Sequence, residues 1–230
     1  MLNSVRIGEK DLYTDFNCIL AHVSIGAPSV QTKFVDVPLR NGALDLTQVL
    51  TNDVKYKDRP IIIDLKYSGR DLMMIQSDIA NYLHGKRFNI YLDEDASYFY
   101  VGRMELTSYE VTNYGGKIHL KGTCDPFKYS VNSSADDWLW DTFDFEEGYI
   151  NDFQNLQING TTSVVLIADE KLSYMTITST AQMDVTYKNK TVRIGAGTTK
   201  LYDFELSEGE NTITFAGTGI VTIDYRGARL

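Results

Sequence analysis

The sequence predicts a mainly β protein: an N-terminal β-domain carrying one α-helix, followed by a C-terminal antiparallel β-sandwich. Three observations lead there. The 230 residues include 15 Tyr, 10 Phe and 17 Gly, a balance that favours pleated strands broken by turns. One stretch, residues 72–83, spaces its apolar residues as a helix does. In the second half, short β-rich runs recur roughly every ten residues between polar turns, the rhythm of a sandwich.

In chain order, "CILAHVSIG" (18–26), "KFVDVPLR" (33–40) and "PIIIDLKYS" (60–68) read as strands, bounded by the turn clusters "APS", "RNG" and "KDRP". The period then changes. Asp71 stands where a short carboxylate caps free helical N–H groups. Leu72, Ile75, Ile79, Tyr82 and Leu83 fall on one helical face, which must lie on a sheet. His84 suits the negative end of the helix dipole, and Gly85 suits a left-handed C-cap. Strands resume at 87–92, 98–111 and 117–124, joined as antiparallel hairpins through "DEDAS" and "TNYGG".

Next comes "CDPFKYS" (124–130). Pro126 cannot donate to a ladder and pushes Asp125 out of the helical region. The stretch is therefore expected to end the strand 117–124 and the first domain, with polar "VNSSADD" (131–137) as linker. Charge shifts at the same point. Residues 1–130 hold 15 Lys and Arg against 16 Asp and Glu, while 131–230 hold 7 against 15. The expected domains are thus 1–130 and 131–230. Beyond the boundary, an Asn159–Gly160 hairpin turn separates "LQING" from "TTSVVLIA". "YMTITST", "MDVTYKN", "KTVRIGAG", "KLYDFEL", "NTITFAG" and "GIVTIDYRG" follow as further strands.

Several chemistries are disfavoured. The acidic second half will not seek phosphate backbones. Cys18 and Cys124 are too few for a disulfide scaffold. With His22, His84 and His119 far apart, they do not build a four-ligand zinc site. His22 and His119 read as pleat residues. "GAGTTK" (195–200) lacks the spacing and the following helix of a phosphate loop, and reads as a hairpin turn. Asp93–Glu94–Asp95 lacks the spaced oxygens of a calcium loop. Asp136–Asp137 and Glu146–Glu147 are sequence neighbours, whereas glycoside hydrolysis needs carboxyls facing each other across a cleft. The start has charges in place of an apolar signal core, and no apolar run approaches the roughly 20 residues of a membrane span. The expectation is a chain without leader or anchor, made and folded in a cytoplasm. It is further expected to carry no catalytic residue, cofactor or metal and not to be an enzyme.

The strongest binding signal is "DDWLWDTFDFEEGYINDF" (136–153), with Trp138, Trp140, Phe143, Phe145, Tyr149 and Phe153 among acids. Exposed aromatics can stack on sugars or anchor a protein contact. The plainer reading is that the two tryptophans share a strand face and pin the linker to the sandwich.

Taken together, "VPLRNGALDLT" (37–47), "RPIIIDLKY" (59–67) with its helix, "YLDEDASYFYVGRM" (91–104) with its Tyr-x-Gly-Arg ending, and "CDPFKYS" are similar to the distal tail proteins of long non-contractile-tailed phages and prophages of Gram-positive hosts. "GIVTIDYRGARL" (219–230) resembles their C-terminal strand. The resemblance covers 1–130 well and the rest loosely, and carries over no active-site residue. It implies a structural virion protein at the tail tip, assembled in the host cytoplasm. Its N-terminal domain would close a homo-hexameric ring between the tail tube protein and the tip or baseplate hub protein. DNA would pass through the ring without specific binding; a conduit must let DNA slide, so the lumen is expected not to be strongly basic. Residues 131–230 would form a galectin-like or carbohydrate-module-like sandwich outside the ring, holding receptor-binding proteins or touching cell-wall glycan. The alternative is a carbohydrate-binding module acting in cell-surface recognition.

Overall fold

A computed structural model describes residues 4–49, 54–69, 71–112, 114–131, 133–134, 153–168, 175–201, 204 and 206–230. It is mainly β, with antiparallel sheets and one α-helix among the described residues. The chain divides into two compact units, Met1–Lys128 with Leu230, and Tyr129–Arg229.

The first unit is built on a sheet ordered β2 (Lys10–Asp11), β1 (Val5–Ile7), β7 (Arg87–Leu92), β8 (Tyr98–Thr112), β9 (Gly115–Ser130), β6 (Arg59–Ser68) and β3 (Cys18–Ile25). Strand β6 shows why it forms. Ile61, Ile63, Leu65 and Tyr67 alternate inward while Pro60, Ile62, Lys66 and Ser68 face out. A one-residue slip would expose all four. Helix α1 (Leu72–Leu83) lays Leu72, Ile79 and Leu83 into the core, with Ile75 and Tyr82 packed at its margin. These are the five residues its spacing singles out. The helix ends at Gly85, whose φ of +73° a side chain would resist. Its N-terminus differs from expectation: Asp71 makes no side-chain cap, and its carbonyl instead accepts from the Met74 and Ile75 amides at 3.0 Å.

Two strand ends also differ. The run 33–40 is not a full strand. Only Phe34–Val35 pairs, as β4, with β5 (Leu44–Asp45), and the chain between turns through Leu39 at φ +66° and Gly42 at φ +78°. Nor does Pro126 end its strand. β9 continues to Ser130 because its β6 partner stops at the Arg59–Cys124 pair. Beyond it no β6 strand needs the missing N–H.

In the second unit, β15 (Gly209–Asp224) pairs along its length with β10 (Leu156–Ala168). On its other side Ile213–Gly217 pairs with β12 (Met183–Tyr187), and Val221–Asp224 pairs with β11 (Met175–Ser179). β13 (Lys190–Ile194) extends β12, and β14 (Gly197–Leu201) extends β11. The long β10–β15 ribbon thus serves two halves that enclose one core around Ile177, Val185, Phe204, Phe215 and Ile223. The ribbon continues through the expected Asn159–Gly160 turn: Gly160 (φ +74°) faces Gly217 (φ +159°) across the ladder. The same continuity joins "NTITFAG" to "GIVTIDYRG". "GAGTTK" is not a hairpin, since β13 and β14 pair with different strands and the segment crosses from one half to the other. The strand expected across 200–206 ends at Leu201, although Phe204 and Leu206 remain buried. In the linker, Ser134 is buried: its amide donates to Tyr225 O, its hydroxyl to Ile223 O, and the Tyr225 amide back to that hydroxyl. The short β16 (Ala228–Arg229) closes the chain.

Candidate assembly surface

The distinctive motif residues hold the first unit together. In the Tyr-x-Gly-Arg stretch, a Cβ at Gly102 would stand 2.4 Å from Cys124 Sγ and 2.7 Å from Thr123 O. One at Gly122 would stand 2.3 Å from Met104 Sδ. Strands β8 and β9 therefore interlock glycine against side chain, twice. Arg103 donates to Gly85 O, while the Gly85 amide donates to Met104 O at 2.8 Å, tying the helix C-terminus to β8.

"CDPFK" is a row of pins. Cys124 is buried against Gly102, and burial pushes its thiol up to about 12. Asp125 takes both oxygens to Arg87, at 2.5 and 2.6 Å. Phe127 meets Tyr56 edge-on with centroids 5.8 Å apart. Lys128 reaches Asp95 at 2.7 Å and lies 4.4 Å above the Tyr98 ring. The acidic turn 93–95 is likewise engaged structurally, Asp93 accepting from the Ser4 amide at 2.7 Å. Cys18, buried at the start of β3, has its thiol pushed up to about 11 by burial.

His22 and His119 sit in strands, and His84 follows the helix. His84 caps α1 and accepts from the Leu106 amide at 3.3 Å. His22, Asp64 and His119 fall in one cross-strand row on β3, β6 and β9, with His119 Nδ1 2.7 Å from Asp64 Oδ1. No group of three His, Cys, Asp or Glu among the described residues is arranged to hold a metal. An open groove of about 730 Å³ is lined by Arg6, Glu9, Arg87, Asn89 and Tyr91, with the Arg6 guanidinium 3.9 Å above the Tyr91 ring. Of the aromatic run 136–153, Trp138, Trp140, Phe143, Phe145 and Tyr149, like Asp136, Asp137, Glu146 and Glu147, lie outside the described residues. Phe153 packs 5.9 Å from Tyr225, a core contact.

What the first unit offers instead is apolar surface in two places. Between β3 and β6 the chain leaves the sheet as an arm. The Val30–Tyr56 bridge and the β4–β5 pair hold its two sides together. Thr47 ties the arm further, its hydroxyl accepting from the Lys33 amide at 3.1 Å across the ribbon, while the Thr47 hydroxyl and amide hold the Asp45 carboxyl below its usual range. Phe34, at 58% exposure, is joined by exposed Val35, Val37 and Val49, with Leu39 fully exposed at the tip. The second place combines the first turn of α1, Met73 and Met74 (61%), with the β8–β9 hairpin end, where Val111 is exposed and Tyr114 is 83% exposed. The sequence alone reads 33–40 as a strand and gives Met73 and Met74 no role. The available signal was that they fall outside the helix's inward stripe.

No protein-family model matches the chain, and no curated protein matches it. Among solved structures, the crystal structure of the SPP1 Dit (gp 19.1) protein matches over 100% of both chains, with a TM-score of 0.63 and 16% identity. That protein is described as a paradigm of the hub adsorption apparatus in Gram-positive infecting phages. The chain shares the mainly β fold of that protein.

Proposed function

We propose that this chain is a structural component of a phage tail tip, a ring-forming adaptor that does no chemistry of its own. Its first unit joins copies of itself into a homo-hexamer between tail tube and hub. Its second unit is displayed to hold host-adsorption components. The observation that carries the reading is the arm between β3 and β6. A two-stranded ribbon with apolar side chains exposed along it is marginal in water by itself, and such a patch marks a protein contact. The fold shared with the SPP1 protein supports the same assignment. Ring closure needs a head-to-tail contact repeated by rotation, and an arm reaching off one sheet edge suits that geometry.

Light scattering after size exclusion across a concentration series tests this, with negative-stain images of any large peak. Six-fold rings are expected, dissociating on dilution as mass action requires. A monomer at every concentration overturns the self-assembling ring. The competing sugar-binding reading rests on residues 138–153. Glycan binding by the full chain that Trp138→Ala abolishes without loss of folding would favour it.

A further inference from the structure

Resting on the ring reading, we infer that the arm tip of one copy is received by the N-terminal turn of α1 in the next copy, with Leu39 on Met74 and Arg40 between Asp71 and Asp78. A head-to-tail contact joins two different patches of one chain, and the first unit carries two. Most of its exposed large apolar side chains cluster on the arm or at the α1 and β8–β9 end. The α1 end has a defined polarity. Residues 71, 74 and 78 are spaced three and four apart and so share one helix face. That face reads Asp71, Met74, Asp78, all exposed. The arm tip presents the converse pair, apolar Leu39 followed by cationic Arg40, both exposed. An apolar knob beside a cation matches an apolar site between two carboxylates, a pairing that fixes register as well as attraction. The Arg40 amide donates to Val37 O at 3.2 Å, so the tip is a formed turn. Preorganisation of that kind lowers the ordering cost of docking.

Engineered cysteines test the contact in the full chain. Cys18 and Cys124 are buried and leave a silent background. Leu39→Cys and Met74→Cys chains are purified separately, mixed at ring-forming concentration and mildly oxidised. A disulfide needs the two Cα atoms within about 7 Å. The expected result is a covalent pair holding one chain of each kind, absent when either chain is oxidised alone. The double variant is expected to give a ladder of covalent oligomers. Both changes lie on exposed positions, so folding is not at stake. As a second arm, Arg40→Asp is expected to weaken assembly at least tenfold, and adding Asp71→Arg with Asp78→Arg is expected to restore it. Rings of full mass with no mixed disulfide and no response to Arg40→Asp overturn this contact and leave the ring reading intact. A chain that stays monomeric at all concentrations overturns both.

Discussion

At the scale of single residues, the constraints lie where two backbones come too close for a side chain. Gly102 is the sharpest case. Adding one methyl places it inside contact distance of Cys124 Sγ and Thr123 O, so Gly102→Ala is expected to cost about 1–3 kcal/mol of overpacking, seen as a lower urea midpoint. Cys124→Ala removes the sulfur half of the clash, so the double variant should lose less than the two singles summed. Asn211 is a second case. Buried in the second unit, its side chain accepts from the Tyr187 hydroxyl at 2.6 Å and the Ser207 amide at 2.9 Å, and donates to Ser207 O and Gly209 O. Asn211→Ala strands those partners. It is expected to cost about 2–3 kcal/mol, since unmet buried groups lose their solvation outright, read by thermal unfolding. The two thiols give a pH dependence. Burial holds their folded pKa values at about 11 and about 12, above the ordinary thiol value of 9.0. Between these limits the unfolded chain has released protons that the folded one keeps, so stability falls as pH rises from 9 to 12. Below pH 9 this contribution is fully present. A thiol reagent should find neither cysteine in the native protein and both after denaturation.

At the scale of elements, α1 and the β10–β15 ribbon are built differently. The helix owes its place to one buried stripe. Ile79 has no exposed surface, so Ile79→Ala is expected to cost about 2–5 kcal/mol. The ribbon owes its course to glycine. Gly160 at φ +74° sits in a conformation that costs an L-residue about 1–2 kcal/mol. Gly160→Ala should therefore destabilise the protein by that amount in a denaturant titration, although the methyl itself would meet nothing within 4 Å.

For the whole molecule, the arm is the part whose state assembly should change. Trypsin is expected to cut the dilute free chain at Lys33 or Arg40, which are exposed beside it. In assembled rings the same sites should be protected. Time-resolved mass spectrometry of the digest at low and high protein concentration reads the difference, and equal rates at both would count against burial of the arm. Duplex DNA is expected to show no binding at about 0.15 M salt, where a protein must neutralise many phosphates to hold on.

Features that depend on near neighbours are legible in the chain alone. The inward face of α1, its glycine stop, the alternation of β6 and the mainly β class are all legible because their periods are set by residues a few positions apart. The motif around Gly102 and Cys124 was visible as a pattern, but its reason was not, since its partners come from different strands. Tertiary structure decided where strands continue and what remains uncovered. Gly160 and Pro126 look like terminators locally. The first stays in strand because Gly217 pairs with it, the second because β6 has already ended beside it. Phe34, Val37 and Leu39 look like core, yet they are exposed because Phe34–Val35 pairs with Leu44–Asp45 in a ribbon of its own and not with the sheet that would have covered them. Exposure is fixed by what packs against a residue, and that depends on partners distant in sequence, which no local pattern records.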